Sequence, residues 1–242
     1  MPEPPLWEQY RSQIDALEAR PLNFDLERCH EYTTANGWNV DDYAADLPPE
    51  PPGPPLPNGS WEAAKTMLRE YKFPPPDLIT GIFYPDRPLE QRVMLLRGRF
   101  LGLSFYFGVR IGAVLDTLRD SDHGPEQVWG YNYQTLEGHF ERGQIEFQII
   151  KRLTTGAVRF AIHAFSQTGV IRNPFYAVGF KLFGRPLQKR FARDAMARMQ
   201  MLVQQELAAG SVAAAPDGPP IQAISSDAGA REKLETLEEN QA

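Results

Sequence analysis

The chain has 242 residues, 42% of them hydrophobic, a formal net charge of −6 and a single cysteine, Cys29. That length suits one domain with appendages, and one cysteine excludes an internal disulfide and an all-cysteine zinc site. The acidic balance argues weakly against a nucleic-acid partner, because phosphate recognition needs a local excess of Lys and Arg, for which Lys189 to Arg198 is one candidate stretch.

The chain opens MPEPPLWEQY, without the basic start and apolar run of a secretory signal. No stretch reaches the ~20 apolar residues of a membrane helix. The expectation is a cytoplasmic protein. Residues 5 to 19 read as a short amphipathic helix, with Leu6, Tyr10, Ile14 and Leu17 on one face and Pro21 ending it. Residues 22 to 46 show no clean period, though Phe24, Leu26, Tyr32, Trp38 and Tyr43 are bulky enough to require packing. Residues 48 to 57, PPEPPGPPLP, hold seven prolines. Helix is excluded there, so the stretch is expected to be an extended spacer. Ser60 then reads as the N-cap of a helix over 61 to 72, which places Trp61, Ala64, Met67, Leu68 and Tyr71 on one face before three prolines stop it.

From residue 77 the pattern turns to strand. Residues 77 to 84 and 91 to 119 are β-prone, and glycines at 98, 102, 108 and 112 mark bends, bulges or close approaches. After a turn at 120 to 125, residues 127 to 135 alternate, with Trp129, Tyr131 and Tyr133 pointing one way. Ile145, Phe147 and Ile149 continue the alternation. In residues 157 to 165, Val158, Phe160, Ile162 and Ala164 share one face, with Arg159, Ala161, His163 and Phe165 on the other. The turn around Thr154-Thr155-Gly156 makes a hairpin, and short connections leave no room for the crossover helices of a parallel sheet. Residues 174 to 184 are ambiguous, a short helix being one reading. A long helix of about 187 to 208 follows Pro186, with Leu187, Phe191, Ala195, Met199 and Leu202 as its stripe. Beyond Gly210 the composition is that of a flexible tail, with a marginal helix at 231 to 239.

The segments GVRIGAVLDTLR, VWGYNYQTLEGHFERGQIEF and IHAFSQTGVIRNPFYAVGFKLFGRPLQKRFARDAM carry a resemblance. Over roughly residues 54 to 205 the chain resembles a bacterial and plant family known as a conserved domain of unknown function (DUF1990, UPF0548-like). The most specific match is the block from Trp129 to Phe140. That family looks related to the START-like or Bet v 1-like superfamily. The resemblance implies an α+β, helix-grip-like fold, in which a curved antiparallel sheet packs on a long C-terminal helix and a cavity lies between them. It supplies no catalytic residues. One departure is visible: the helix at 61 to 72 precedes the first recognisable strand, and no helix pair follows Pro85.

The expected organisation is an N-terminal arm with a proline-rich spacer (1–59), a START-like core (60–208) and a C-terminal tail (209–242). The arm is the segment offered for homo-oligomer contact. The leading functional reading is a pocket for a small apolar or amphipathic molecule, lined by Tyr131, Tyr133, Glu137, His139, Arg159 and His163. Tyrosines suit a pocket wall, and a buried Arg159 would need a carboxylate partner from protein or ligand. One alternative is a cyclase or hydrolase in which His139 or His163 acts with Glu137 or Glu141. Another is a non-catalytic interaction protein with a filled core. A facial metal site from His139, His163 and Glu141 or Glu146 is conceivable, but a packed, hydrogen-bonded His163 is the simpler account, so no metal or cofactor is called for.

Overall fold

In the computed structural model residues 3–100, 102–170 and 174–214 are described, with backbone only for residues 100, 174–183 and 211–214. Two short helices, α1 (Leu6–Gln9) and α2 (Arg11–Glu18), are followed by strand β1 (Asn39–Leu47) and helix α3 (Ser60–Arg69). Strands β2 (Ile79–Ile82), β3 (Val93–Phe100), β4 (Leu103–Ser121), β5 (Gly124–Thr135), β6 (Glu141–Arg152) and β7 (Val158–Thr168) come next, and α4 (Pro174–Ala214) ends the fold. The seven strands form one sheet in the order β1-β7-β6-β5-β4-β3-β2, every neighbouring pair antiparallel. Four successive hairpins follow from short turns between β-branched and aromatic runs, and a bulge between Ile111 and Val114 takes in Gly112. The tail beyond Ala214, including the helix expected at 231 to 239, lies outside the described residues.

The period of two divides the sheet into two apolar faces. The inner face presents Trp129, Tyr131, Tyr133, Phe147, Ile149, Phe160 and Ile162 to α3 and α4, whose Trp61, Met67, Leu68, Phe191, Ala195, Met199 and Val203 complete one continuous core. The outer face is covered by the N-terminal segment. Ile14 and Leu17 of α2 pack with Ile82, Val93, Leu95 and Leu136, while Phe24 and Trp38 pack with Phe165. Tyr32 stacks on Trp38 with ring centroids 3.9 Å apart. Of the bulky arm residues, Leu26 is the one left exposed. The arm's apolar side chains therefore lie against this chain's own sheet.

Three local expectations are corrected. Residues 22 to 46 do hold a strand, β1, which restores a strand ahead of α3. Its acids have low β-propensity, but the register places Asp42 beside His163 and Asp46 beside Arg159, so β7 supplies partners that a local pattern cannot show. The long helix starts at Pro174 rather than after Pro186, which lies inside it. Proline there forfeits one hydrogen bond to residue i−4, and the helix is held at this point by the ion pair of Arg185 with Asp41. Ser60, finally, is not the cap of α3. Gly59 occupies that position, and the Ser60 hydroxyl is buried without a partner among the described residues.

The cap comes instead from the proline-rich stretch. The Glu50 carboxylate accepts the Trp61 N–H at 2.8 Å and the Leu56 N–H at 3.0 Å. It also accepts the Lys151 ammonium at 2.6 Å, and Lys151 donates a second bond to the Pro54 carbonyl at 2.9 Å. Lys151 is 0% and Glu50 7% exposed. Burial alone would raise the Glu50 carboxyl, but the bond from Lys151 and the two backbone donors outweigh it and hold it below the usual carboxylate range. Gly156 allows this approach. Its φ is +76°, and a Cβ there would sit 1.8 Å from the Glu50 carbonyl oxygen.

Two stability outcomes follow from this junction. Lys151→Met leaves a buried carboxylate without its counter-ion and is expected to cost about 3–5 kcal/mol in urea unfolding at neutral pH. Adding Glu50→Gln should recover part of that loss. Because the folded Glu50 carboxyl is lowered, its contribution is present above its unfolded value of about 4.3 and is lost as pH falls through the folded value. A Lys151→Met protein as stable as wild type would refute the role given to the pair. Gly156→Ala should destabilise by more than about 1 kcal/mol.

Candidate functional site

The inner face is not covered evenly. Helix α3 lies over the half of the sheet that carries Trp129, Ile149 and Val158. Beyond it, between the other half and α4, lies a cavity of about 490 Å³. Its apolar wall includes Leu96, Phe105, Phe107, Ile145, Ile162 and Leu187. The strand period fixes which residues reach it: Tyr133 on β5, Ile145 on β6, and Ile162 and Ala164 on β7 are inner-face positions.

Polar groups gather where β1, β6 and α4 meet. Arg185 of α4 makes a two-pronged ion pair with Asp41 of β1, its Nη2 donating to Oδ1 at 2.6 Å. Its Nη1 also donates to the Gln188 side-chain carbonyl at 3.0 Å. The Gln188 amide in turn donates to the Glu141 carboxyl. Burial pushes the Glu141 carboxyl up to about 7, against the lowering effect of Arg185 and with help from Asp41. His139 sits two residues earlier and is buried, 4.7 Å from the Phe107 ring in an edge-on contact. Its Nδ1 accepts the Glu141 backbone N–H at 2.9 Å, which places the remaining ring proton on Nε2. Burial pushes this histidine down to about 4, so it is neutral at physiological pH. Gly138, at φ +89°, makes the turn that turns His139 back toward the sheet.

Of the six residues expected to line a pocket, the structure brings two to the cavity, Tyr133 and His139. Tyr131 is on the correct face but deeper, under α3, where its hydroxyl donates to the Leu68 carbonyl at 3.1 Å. Burial pushes that hydroxyl well above its ordinary value. Glu137 is exposed in the β5–β6 turn. Arg159 and His163 lie on the outer face, where Arg159 Nε meets Asp46 at 2.9 Å and His163 Nδ1 meets Asp42 at 2.8 Å. The alternation of β7 explains this, because Ile162 and Ala164 take the inner positions. Arg159 is thus an exposed ion pair on β1, not a buried cation awaiting a ligand.

His139 and His163 occupy opposite faces, so the paired-histidine arrangement does not form. Among the described residues there is no group of three or more His, Cys, Asp or Glu placed to hold a metal ion. The sequence pattern did not point to Asp41, Arg185 or Gln188. Asp41 was hidden with β1, and the other two lie around Pro186, where the helix was expected to begin.

No helix among the described residues is long and apolar enough to cross a membrane. Among curated proteins no sequence matches the chain. Solved structures with a similar course include a START superfamily protein from Mycobacterium smegmatis, 13% identical with a TM-score of 0.41, covering 69% of this chain and 97% of that one. A protein from Arthrobacter aurescens is 9% identical with a TM-score of 0.39, covering 76% and 91%. The major latex-like protein 151 of Panax ginseng is 10% identical with a TM-score of 0.34, covering 72% and 97%. The family described as Domain of unknown function (DUF1990) matches residues 26–198, a span that begins ahead of the expected residue 54 and takes in β1. With its seven-stranded antiparallel sheet packed against a long last helix, the α+β, helix-grip-like arrangement expected from the sequence, the chain belongs to the DUF1990 family.

Proposed function

We propose that this protein binds a small apolar or amphipathic molecule in the cavity between the sheet and α4. The observation that carries the reading is the cavity itself. At about 490 Å³ it falls within the range of small-molecule sites, and its walls are apolar with a few polar groups at one end. A core that is merely filled, as the interaction-protein reading requires, is hard to reconcile with that space. Binding to a preformed container needs no catalytic set, and the chain's other histidines, His30, His123 and His163, do not line it.

A second reading has one observation in its favour. A carboxyl titrating near 7 beside a neutral imidazole is the kind of pair that acid–base chemistry uses. It would employ His139 and Glu141, not His163 or Glu137. Extraction after incubation with a host lysate separates the two: a carrier returns its ligand unchanged, whereas an enzyme returns a product that Glu141→Gln no longer forms.

Two outcomes are expected. Ala164→Phe places a ring into the cavity from β7 and should weaken binding of an apolar fluorescent probe at least about tenfold, equivalent to ~1.4 kcal/mol. A probe bound equally well by both proteins would locate binding elsewhere. For Glu141 the sign follows from a folded value raised above the unfolded one. The ionised carboxyl is disfavoured in the fold, so its contribution is full below the unfolded value of about 4.3 and is lost as pH rises through about 7. Glu141→Gln should therefore gain stability over wild type between acid and mildly alkaline pH, by roughly 1–3 kcal/mol. Parallel pH–stability curves for the two proteins would contradict this.

A further inference from the structure

The polar end of the cavity restricts the chemistry of what it can receive. Most of its groups are already satisfied. Asp41 is used by Arg185, the Gln188 carbonyl also accepts from Arg185, and the Gln188 amide donates to Glu141 and Ser166. Two sites near the start of β6 are left over. The His139 ring uses Nδ1 as an acceptor toward the Glu141 N–H, which leaves Nε2–H as a donor. The Glu141 carboxyl receives Gln188 on Oε1, which leaves Oε2. Among the described residues neither His139 Nε2 nor Glu141 Oε2 has a protein partner, and both residues line the cavity. The cavity therefore presents one fixed donor and one carboxyl oxygen from residues two positions apart, surrounded by apolar wall.

Resting on the reading of this cavity as a ligand site, we infer that its ligand is an apolar molecule ending in a hydroxyl group, which accepts from His139 Nε2–H and donates to the Glu141 carboxyl. The alternatives each leave something unsatisfied. An ammonium group has no lone pair for the Nε2–H and sets its own donors against it. A carboxylate has no proton to give Glu141, and the Arg185 guanidinium is already paired with Asp41. With Glu141 ionised, a ketone or ether accepts from His139 but offers nothing to the carboxylate. A hydroxyl carries one donor and two acceptor sites and fits both leftovers. In a low-polarity site an unmade hydrogen bond is costly, so the mismatch discriminates between otherwise equal chains.

Four probes with the same decyl chain test this on the wild-type protein at about pH 8.5, where Glu141 is ionised: decanol, decylamine, undecanoate and decyl methyl ether, each measured by displacement of an apolar fluorophore. Decanol is expected to bind at least about tenfold tighter than each of the others. Glu141→Leu should bring decanol and the ether to within about twofold, whereas His139→Phe, which keeps a ring against Phe107, should weaken both and leave their ratio in place. Equal binding of all four probes would overturn the hydroxyl preference while leaving the cavity as an apolar site. A lead for the amine or the acid would overturn it in favour of a charged headgroup. Failure of every probe to displace the fluorophore, with Ala164→Phe also without effect, would remove the ligand site and this inference together.

Discussion

The buried pair of Lys151 and Glu50 holds together three parts of the chain that have little else in common. Lys151 is an inner-face position of β6, opposite Val158 of β7. Glu50 belongs to a proline-rich stretch that cannot make the regular backbone hydrogen bonds of a helix or a central strand. The Trp61 N–H is one of the orphan donors at the start of α3. One carboxylate satisfies the ammonium and the helix end together, and the positive end of the helix dipole adds to its stabilisation. A lysine at this depth is tolerable because its charge is paired and it has a second acceptor in the Pro54 carbonyl. Removing either partner leaves a worse state than replacing both.

The position of α3 in turn decides where the cavity is. An inner sheet face of this breadth needs more cover than one helix supplies. α3 closes the half near Trp129 and Ile149 with Trp61, Met67 and Leu68, so packing there is continuous. The other half receives α4 but no counterpart of α3, and the space remains open between Tyr133, Ile145 and Ala164 on one side and Leu187 and Phe191 on the other.

The sequence made some of this legible and hid the rest for physical reasons. Strands β5 to β7 could be read because one face of each is buried and the period of two is clean; Tyr133 was found as a wall residue on that basis. The same period, applied strictly, already placed Arg159 and His163 on the other face from Ile162, and their polar chemistry was not a reason to move them inward. Strand β1 was hidden because its acids look like loop, and the partners they meet across the register, His163 and Arg159, lie more than 100 residues away in the chain. The cap of α3 was misassigned to Ser60 for a related reason. The local rule names a nearby hydroxyl, whereas the fold uses a carboxylate that must be buried anyway for Lys151.

The polar end of the cavity shows how an apolar container can hold polar groups without losing definition. Each carboxylate there is tied to an element other than its own: Asp41 of β1 to Arg185 of α4, and Glu141 of β6 to Gln188 of α4. These contacts fix α4 against the sheet at the cavity's rim, where apolar packing alone would allow it to slide. Burial drives the Glu141 carboxyl toward its neutral form against the pull of Arg185, and the Asp41 carboxylate adds to the rise. Burial does the same to His139 in the opposite sense, also toward neutrality. The cavity thus meets a ligand with a neutral imidazole and a carboxyl that titrates near neutral pH, and hydrogen-bond geometry is left to select what binds.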